Sequence, residues 1–452
     1  MKSVRKTYHP ILLMAGLCLS LIFILNVALG NAIMNLIAFG LPLNQLLIGL
    51  LLVILAVFGL IKIPTGYAST LFYIWLLFGL FIWLPVGFLN HGIIAGRDAT
   101  QLLDATALFL AFNIFLRMRS FSIVKVCEKI LLLGLTLEFL DRVVLFQFSN
   151  VTVSSFVEVN VFGGTIGSAV IVTASFWFGI VMKNNITRLS SRYMILLSVL
   201  LVLLLQNRFL YVSMIATSIV YLFIARPSFL NKALLKKASV LIVLLIFFEI
   251  YVTSIVGSLL SSLPGSEYIL SERLFKYGIE SFSLTGIIEL LGTGFGVENA
   301  AYSGAAGGLF LRFQWWYTLF STMFSDSSTL LLGMGYGIPL TDGFATTIIR
   351  EPHNSFISVF CRNGLILFFI WFIFHALVVF KSIRVLRKVS PHSFEYKLLL
   401  VSLLAIISTH ICGLVEPAFE LPPIAIPTYI FIGLSLVLLN RLKRFEKAQI
   451  NT

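Results

Sequence analysis

The residues best suited to chemistry in this chain are three cationic or titratable side chains set in apolar surroundings. Arg208 closes Gln206-Asn207-Arg208, the strongest polar break in the 33 residues from Tyr193 to Ala225. One helix of that length would run about 50 Å against a hydrocarbon thickness of about 30 Å, so the chain must turn here. The limb before the turn reaches only about 20 Å. Arg208 is therefore expected to be recessed, where an arginine is unfavourable unless paired or facing a wet cavity. Arg312 follows the small-residue run Ser303–Gly308 and precedes Trp316 by one helical turn, so the two can share a helix face. His353 lies in Glu351-Pro352-His353-Asn354-Ser355, where Pro352 stiffens the approach to an apolar segment that Asn354 or Ser355 can cap. Arg273, Lys276 and Arg350 are further cationic positions of second rank.

A guanidinium grips phosphate oxygens bidentately and does not deprotonate. An imidazole with an ordinary pKa of about 6.5 can take or give a proton. Each residue also has a plainer explanation: a snorkelling turn arginine, an interfacial arginine reaching headgroups, a structural histidine. Other patterns carry less. Gly292-Thr293-Gly294-Phe295-Gly296 and Gly333-Met334-Gly335-Tyr336-Gly337 alternate glycine but lack the dinucleotide spacing, and the second lacks the Thr-Val of a potassium filter. Both read as tight turns. Asp104, Glu138 and Glu249 are acids inside apolar stretches, of a kind that proton-coupled transporters use but that satisfied polar contacts explain equally well. Cys18, Cys127, Cys361 and Cys412 show no ligand or disulfide spacing.

The elements that position these residues follow from composition. Of 452 residues, 59% are hydrophobic and 11% charged, and the mean hydropathy is +1.02. A soluble domain carries about 25% charged residues, so this chain reads as a polytopic membrane protein. Stretches long enough to span occur near 11–30, 44–61, 68–89, 100–116, 121–140, 161–182, 193–206, 209–225, 238–255, 355–380, 398–415 and 424–440. The stretches 121–140, which holds Glu128, Lys129 and Glu138, and 193–206 are the weakest. With both termini inside, 23 of the 32 basic residues fall on inward segments and 7 on outward ones, the bias expected of cytoplasmic loops. The net charge of +13 is thus a topology signal and makes no case for nucleic acid. Ala28-Leu29-Gly30 has the small-residue spacing of a signal cleavage site, but the long apolar stretch and the spans after it favour a retained anchor.

The expected architecture is all-α, with about 12 transmembrane helices: a bundle over 1–255, one long outward loop over 256–352, and a second bundle over 353–452. The loop carries eight acids against four bases, with apolar pieces at Ile287–Leu291 and Trp315–Phe324. Trp315, Trp316 and Tyr317 have rings that favour the membrane interface, so the loop is expected to hug the membrane as a lid.

Taken together, Leu203-Leu204-Leu205-Gln206-Asn207-Arg208, Arg312 with Trp316, Leu332-Gly333-Met334-Gly335-Tyr336-Gly337, and Pro352-His353-Asn354-Ser355-Phe356 continuing to Asn363-Gly364-Leu365-Ile366 resemble the O-antigen ligase/polymerase family of bacterial membrane glycosyltransferases. The resemblance covers about residues 190–380. The sequence departs from the family in Asn207, where Ser is common, and in Arg362, where many members have another polar residue.

The resemblance implies transfer of a glycan from an undecaprenyl-diphosphate carrier to an acceptor hydroxyl, on the periplasmic side of the inner membrane, without nucleotide sugar, cofactor or metal. It implies a glycan or lipid A-core acceptor, and chain-length regulator and flippase proteins as partners beside the lipid bilayer. By motif match, Arg208 and Arg312 hold the diphosphate where its charge develops, and His353 is general base or orienter for the acceptor hydroxyl. Trp316, Asn354, Arg273, Lys276 and Arg350 are candidate substrate contacts. A repeat-unit polymerase is favoured over a ligase, although the motifs do not separate them. The rival from another class is a transporter or lipid flippase, against which stands the lack of a half-to-half repeat.

Overall fold

The computed structural model describes residues 14–22, 37–38, 41–143, 150–154, 157–160, 168–205, 208–225, 305–340 and 352–450. In chain order they form β1 (Ile37–Ala38), β2 (Leu41–Pro42), α1 (Leu43–Val57), α2 (Tyr67–His91), α3 (Ile94–Asp98), α4 (Thr100–Ala105), α5 (Ala107–Arg117) and α6 (Ser120–Val143). Then come β3 (Asn150–Ser154), β4 (Val157–Asn160), α7 (Ser168–Val181), α8 (Arg188–Leu205), α9 (Arg208–Ala225) and α10 (Ala305–Ser325). The last are α11 (Ser327–Leu332), α12 (Ser355–Leu386), α13 (Phe394–Gly413) and α14 (Pro422–Ile450). The strands form two small antiparallel pairs, β1–β2 and β3–β4, and everything else regular is helical.

Among the described residues four helices are long and apolar enough to cross a membrane: α2, α12, α13 and Pro422–Lys443 of α14. Three more apolar helices, Asn44–Val57, Ala169–Val181 and Leu210–Ile224, are shorter. The expected count of twelve is therefore not reached by length among the described residues, and the expected span 238–255 lies outside them. The stretch 100–116 is not one helix. Thr106 N and its hydroxyl both turn to Leu103 O, and Phe109 N to Thr106 O, three-residue bonds that separate α4 from α5. The stretch 121–140, despite its charges, is one helix, α6, and the β3–β4 hairpin was not foreseen. The 33-residue stretch from Tyr193 does divide, into α8 and α9 on either side of residues 206–207.

The chain groups into two compact units, Met1–Ala225 with Met323–Thr452, and Arg226–Thr322. Residues 323–340, expected in the outward loop, thus belong to the first unit. In that unit α14 is central: its spanning segment is wholly buried and packs against α5 and α13. A Cβ at Gly433 would meet Leu108 O and Ala111, so the missing side chain lets α14 and α5 approach closely. Around this core α13 contacts α7 and α9, and α12 contacts α2. The outer face of α12 presents Ile366, Phe369, Ile373 and Phe380 at helical spacing, an apolar exterior of the kind that lipid covers.

Where α12 meets the turn after α11, two glycines make the crossing possible. Asp326 caps α11, accepting from Thr329 N at 2.9 Å and from the Ser328 and Thr329 hydroxyls, which hold its carboxyl below the usual carboxylate range. Gly333 ends α11 at φ 86°, ψ 174°, and Gly364 kinks α12 at φ 71°, ψ 176°, a region open essentially to glycine alone. The kink frees two carbonyls of α12, and the turn satisfies them: Met334 N donates to Cys361 O (2.7 Å) and Gly335 N to Arg362 O (3.0 Å). A Cβ on either glycine would strike the other's backbone nitrogen. Gly333→Ala and Gly364→Ala should therefore each lower stability by more than the roughly 1–3 kcal/mol of backbone strain, because a collision adds to it. Gly59→Ala, also at positive φ (62°) but in open space, should cost only the strain. Thermal unfolding in detergent checks the order, and equal losses at all three positions would refute the crossing.

Candidate functional site

His353 sits in the three residues that lead into α12 and has a left-handed backbone, φ 51°, the one non-glycine positive φ among the described residues. Histidine tolerates that region better than most side chains, but it remains uncommon and needs support. The support comes from the turn between α13 and α14. Asn354 caps α12, its Oδ1 accepting from Ile357 N at 3.1 Å, while its Nδ2 donates to Leu414 O at 2.7 Å. Ser355 Oγ donates to a Glu420 carboxylate oxygen and accepts from Phe419 N at 3.0 Å. Pro417 and Pro422 frame this turn, so its backbone has few alternatives.

On that footing His353 Nδ1 lies 3.0 Å from Glu416 Oε2. The Glu416 side chain is 8% exposed and the imidazole 25%, so the carboxylate lies inward and the ring faces out. An Nδ1–H donated to Glu416 sets the tautomer and leaves the ring's lone pair on Nε2. Such a pair can accept a proton at Nε2 and spread the resulting charge onto the carboxylate, as the acid–imidazole half of a hydrolase triad does.

A second cluster lies along α12. Arg362 is fully buried, its Nη2 3.3 Å from Asp98 Oδ2, whose side chain is 2% exposed. Arg362 Nη1 also donates to Gly335 O (3.2 Å) and Ile338 O, and Asp98 Oδ2 accepts from Gly337 N at 3.0 Å. Tyr336 donates to Asn363 Oδ1 (3.0 Å) and accepts from Gln101 Nε2 (3.2 Å). Gly335 in this glycine turn and Ile338 just after it thus present carbonyls to a cation, and the cation is the protein's own guanidinium. The two clusters are linked, since Thr100, next to Gln101, donates to Glu420 O at 3.1 Å.

The other expected site residues are placed differently. Asn354, expected to contact substrate, has both ends of its amide committed to backbone. Arg208 opens α9 in the first unit. Arg312 and Trp316 do share a face of α10, each half-buried, with Trp316 edge-on to Phe313 at 5.3 Å; they belong to the second unit. Arg273, Lys276 and Arg350 lie outside the described residues. Among the described residues no group of three or more His, Cys, Asp or Glu side chains is placed to hold a metal ion.

Sequence reading missed Glu416, Glu420, Asp98 and Gln101. The available signal was charge left over: Arg362 inside an apolar run demands an acid, and Glu416 and Glu420 bracket the short turn between two apolar helices. Compared with known protein-family models and with curated proteins, the sequence matches none.

The buried pair makes a clear prediction. Asp98→Asn leaves the Arg362 charge buried with its carboxylate partner gone and should cost about 3–5 kcal/mol. The double variant Asp98→Asn with Arg362→Met should recover much of that loss in thermal unfolding. A double variant no better than Asp98→Asn would show that the pair is not the organising contact.

Proposed function

We propose that the protein is a membrane glycosyltransferase that moves a polyprenyl-diphosphate-linked glycan to an acceptor hydroxyl, as its resemblance to the O-antigen ligase/polymerase family implies, with a repeat-unit polymerase as the favoured form. The observation that carries this reading is the His353–Glu416 pair at the exposed head of α12. The acceptor O–H gives its proton to His353 Nε2, and Glu416 stabilises the imidazolium. The acceptor oxygen bonds to the donor sugar's anomeric carbon as the bond from that carbon to the diphosphate oxygen breaks. The polyprenyl diphosphate leaves with that electron pair. Arg208 and Arg312 are assigned to its charge, since a guanidinium aimed at the leaving oxygens stabilises most where charge develops. No metal or cofactor is assigned a part. The bacterial inner membrane, with the site on its periplasmic side and both termini cytoplasmic, belongs to the same proposal.

One group of contacts favours a second reading, transport. Gln45 Nε2 donates to Asp104 Oδ1 (2.9 Å) and His375 Nδ1 lies 3.0 Å from His410 Nε2, all four residues lying in apolar helices. Such groups often mark ion or proton routes. Lipid flipping by proteoliposomes that form no glycosidic product would support transport.

For the catalytic reading, His353→Ala should lower glycan transfer by at least about 100-fold, the scale of a lost general base. Arg208→Ala and Arg312→Ala should abolish it at unchanged protein level in the membrane, and Arg312→Lys should be harmful because one ammonium does not replace a bidentate fork. Glu416→Gln keeps the shape but removes the stabilising charge, and should also slow transfer. Near-normal product from all of these would sink the mechanism. In a deletion strain, surface glycan capped at one repeat unit indicates a lost polymerase, and bare core with intact carrier-linked chains a lost ligase.

A further inference from the structure

At the far end of α12 from His353, about 39 Å of helix beyond Ser355, the first unit holds a small polar cavity. Its volume is ≈ 60 Å³, and Thr65, Ser69, Lys381, Asn440 and Lys443 supply its polar lining with Gly66 at the edge. A single water needs about 10–15 Å³ measured this way, so the space suits a few waters or one small tetrahedral anion.

Four features give the cavity its sign. Lys381 and Lys443 converge on it, and no carboxylate lines it. Among the described residues neither lysine has an ion-pair partner, so two like charges face one space without local compensation. Gly66, at φ 123°, is the cap residue before the 25-residue helix α2 and offers it no side-chain cap. The first-turn N–H groups of that helix therefore lack a side-chain acceptor, and the helix end carries the positive pole of its dipole. Ser69 is only 4% exposed yet lines the cavity, and its hydroxyl has no hydrogen-bond partner in the protein. Its oxygen opens on the cavity, so the atom that pairs it comes from there.

We infer that this cavity binds a phosphate group, held by Lys381, Lys443, Ser69 and the amino end of α2. The chemistry is shared by two sources, the phosphodiester of a membrane phospholipid and free phosphate in solution. The site lies at the opposite end of α12 from the proposed transfer site and does not rest on that reading.

The test uses the purified full-length protein and two probes. Native mass spectrometry counts phosphatidylglycerol retained against diacylglycerol, which lacks the phosphate. Thermal unfolding of delipidated protein is compared in inorganic phosphate and in chloride at matched ionic strength. Selective retention of phosphatidylglycerol identifies the lipid source; a phosphate-dependent rise in Tm with no lipid selectivity identifies the soluble one. In either case Lys381→Gln with Lys443→Gln should weaken binding about tenfold or more, and Lys381→Arg with Lys443→Arg should retain it. Ser69→Ala, which removes no charge, should weaken binding about two- to tenfold, and it decides the matter alone if the double glutamine variant does not fold. Neither probe binding to wild type, or binding unchanged by these substitutions, overturns the inference.

Discussion

The constraint on which this end of the molecule depends is the removal of the Arg362 charge from water. A guanidinium in an apolar bundle is strongly disfavoured unless nearly all its donors are met. Here Asp98 supplies the opposite charge while Gly335 and Ile338 supply carbonyls. Each of those partners makes a demand in turn. Asp98 must come inward, which it does at the end of the short helix α3, where Gly337 N steadies the same carboxylate oxygen. Two carbonyls must converge from one turn, which requires the alternating glycines at 333, 335 and 337, all at positive φ. The turn must lie against α12, which the kink at Gly364 permits. One buried charge thus accounts for a broken helix, a glycine turn and a kink.

That network also fixes the head of α12, where His353 sits. Asn363 and Tyr336 tie the helix to Gln101, and Thr100 ties the same segment to Glu420. Glu420 in turn holds Ser355, beside the capping Asn354. The left-handed backbone at His353 is therefore held from two directions, by the turn after α13 and by the Arg362 cluster. Strain at one residue persists only where its surroundings over-determine it. Both conditions are met at this position.

Much of this was legible from residue order, and the parts that were not share a physical cause. Local rules worked: Asn354 caps α12 as its type and place suggested, the Gly333–Gly337 segment is a turn, and residues 206–207 separate two helices. Pairings across long separations did not announce themselves. Asp98 meets Arg362, and His353 meets Glu416, only because tertiary structure brings them together, and neither partner lies in a motif. The count of twelve spans is not confirmed among the described residues, and an apolar run says nothing of where its helix breaks. The interruption at Thr106 is made by three-residue bonds from its backbone and its hydroxyl, which hydropathy does not register. The region expected to carry Arg273, Lys276 and Arg350 lies beyond the described residues.

The rigidity of this end bears on the choice between group transfer and transport. Alternating access needs an element with two arrangements close in free energy. At the crossing of Gly333 and Gly364 there is no room for even a methyl group, and the hydrogen bonds there run from backbone to backbone. Sliding one segment past the other would strand the carbonyls of Cys361 and Arg362 and leave the buried Asp98–Arg362 pair without its backbone partners. Each of those losses is large on the scale of a conformational equilibrium of a few kcal/mol. A transfer reaction makes the opposite demand: a base held within a fraction of an ångström of its working position, on an element whose supports do not relax. The head of α12 suits that demand, with His353 partly exposed and its carboxylate partner buried behind it. Asp104, one of the contacts that favour transport, shares the short helix α4 with Gln101, which bonds Tyr336 of this crossing, so any motion it served would have to leave the crossing intact.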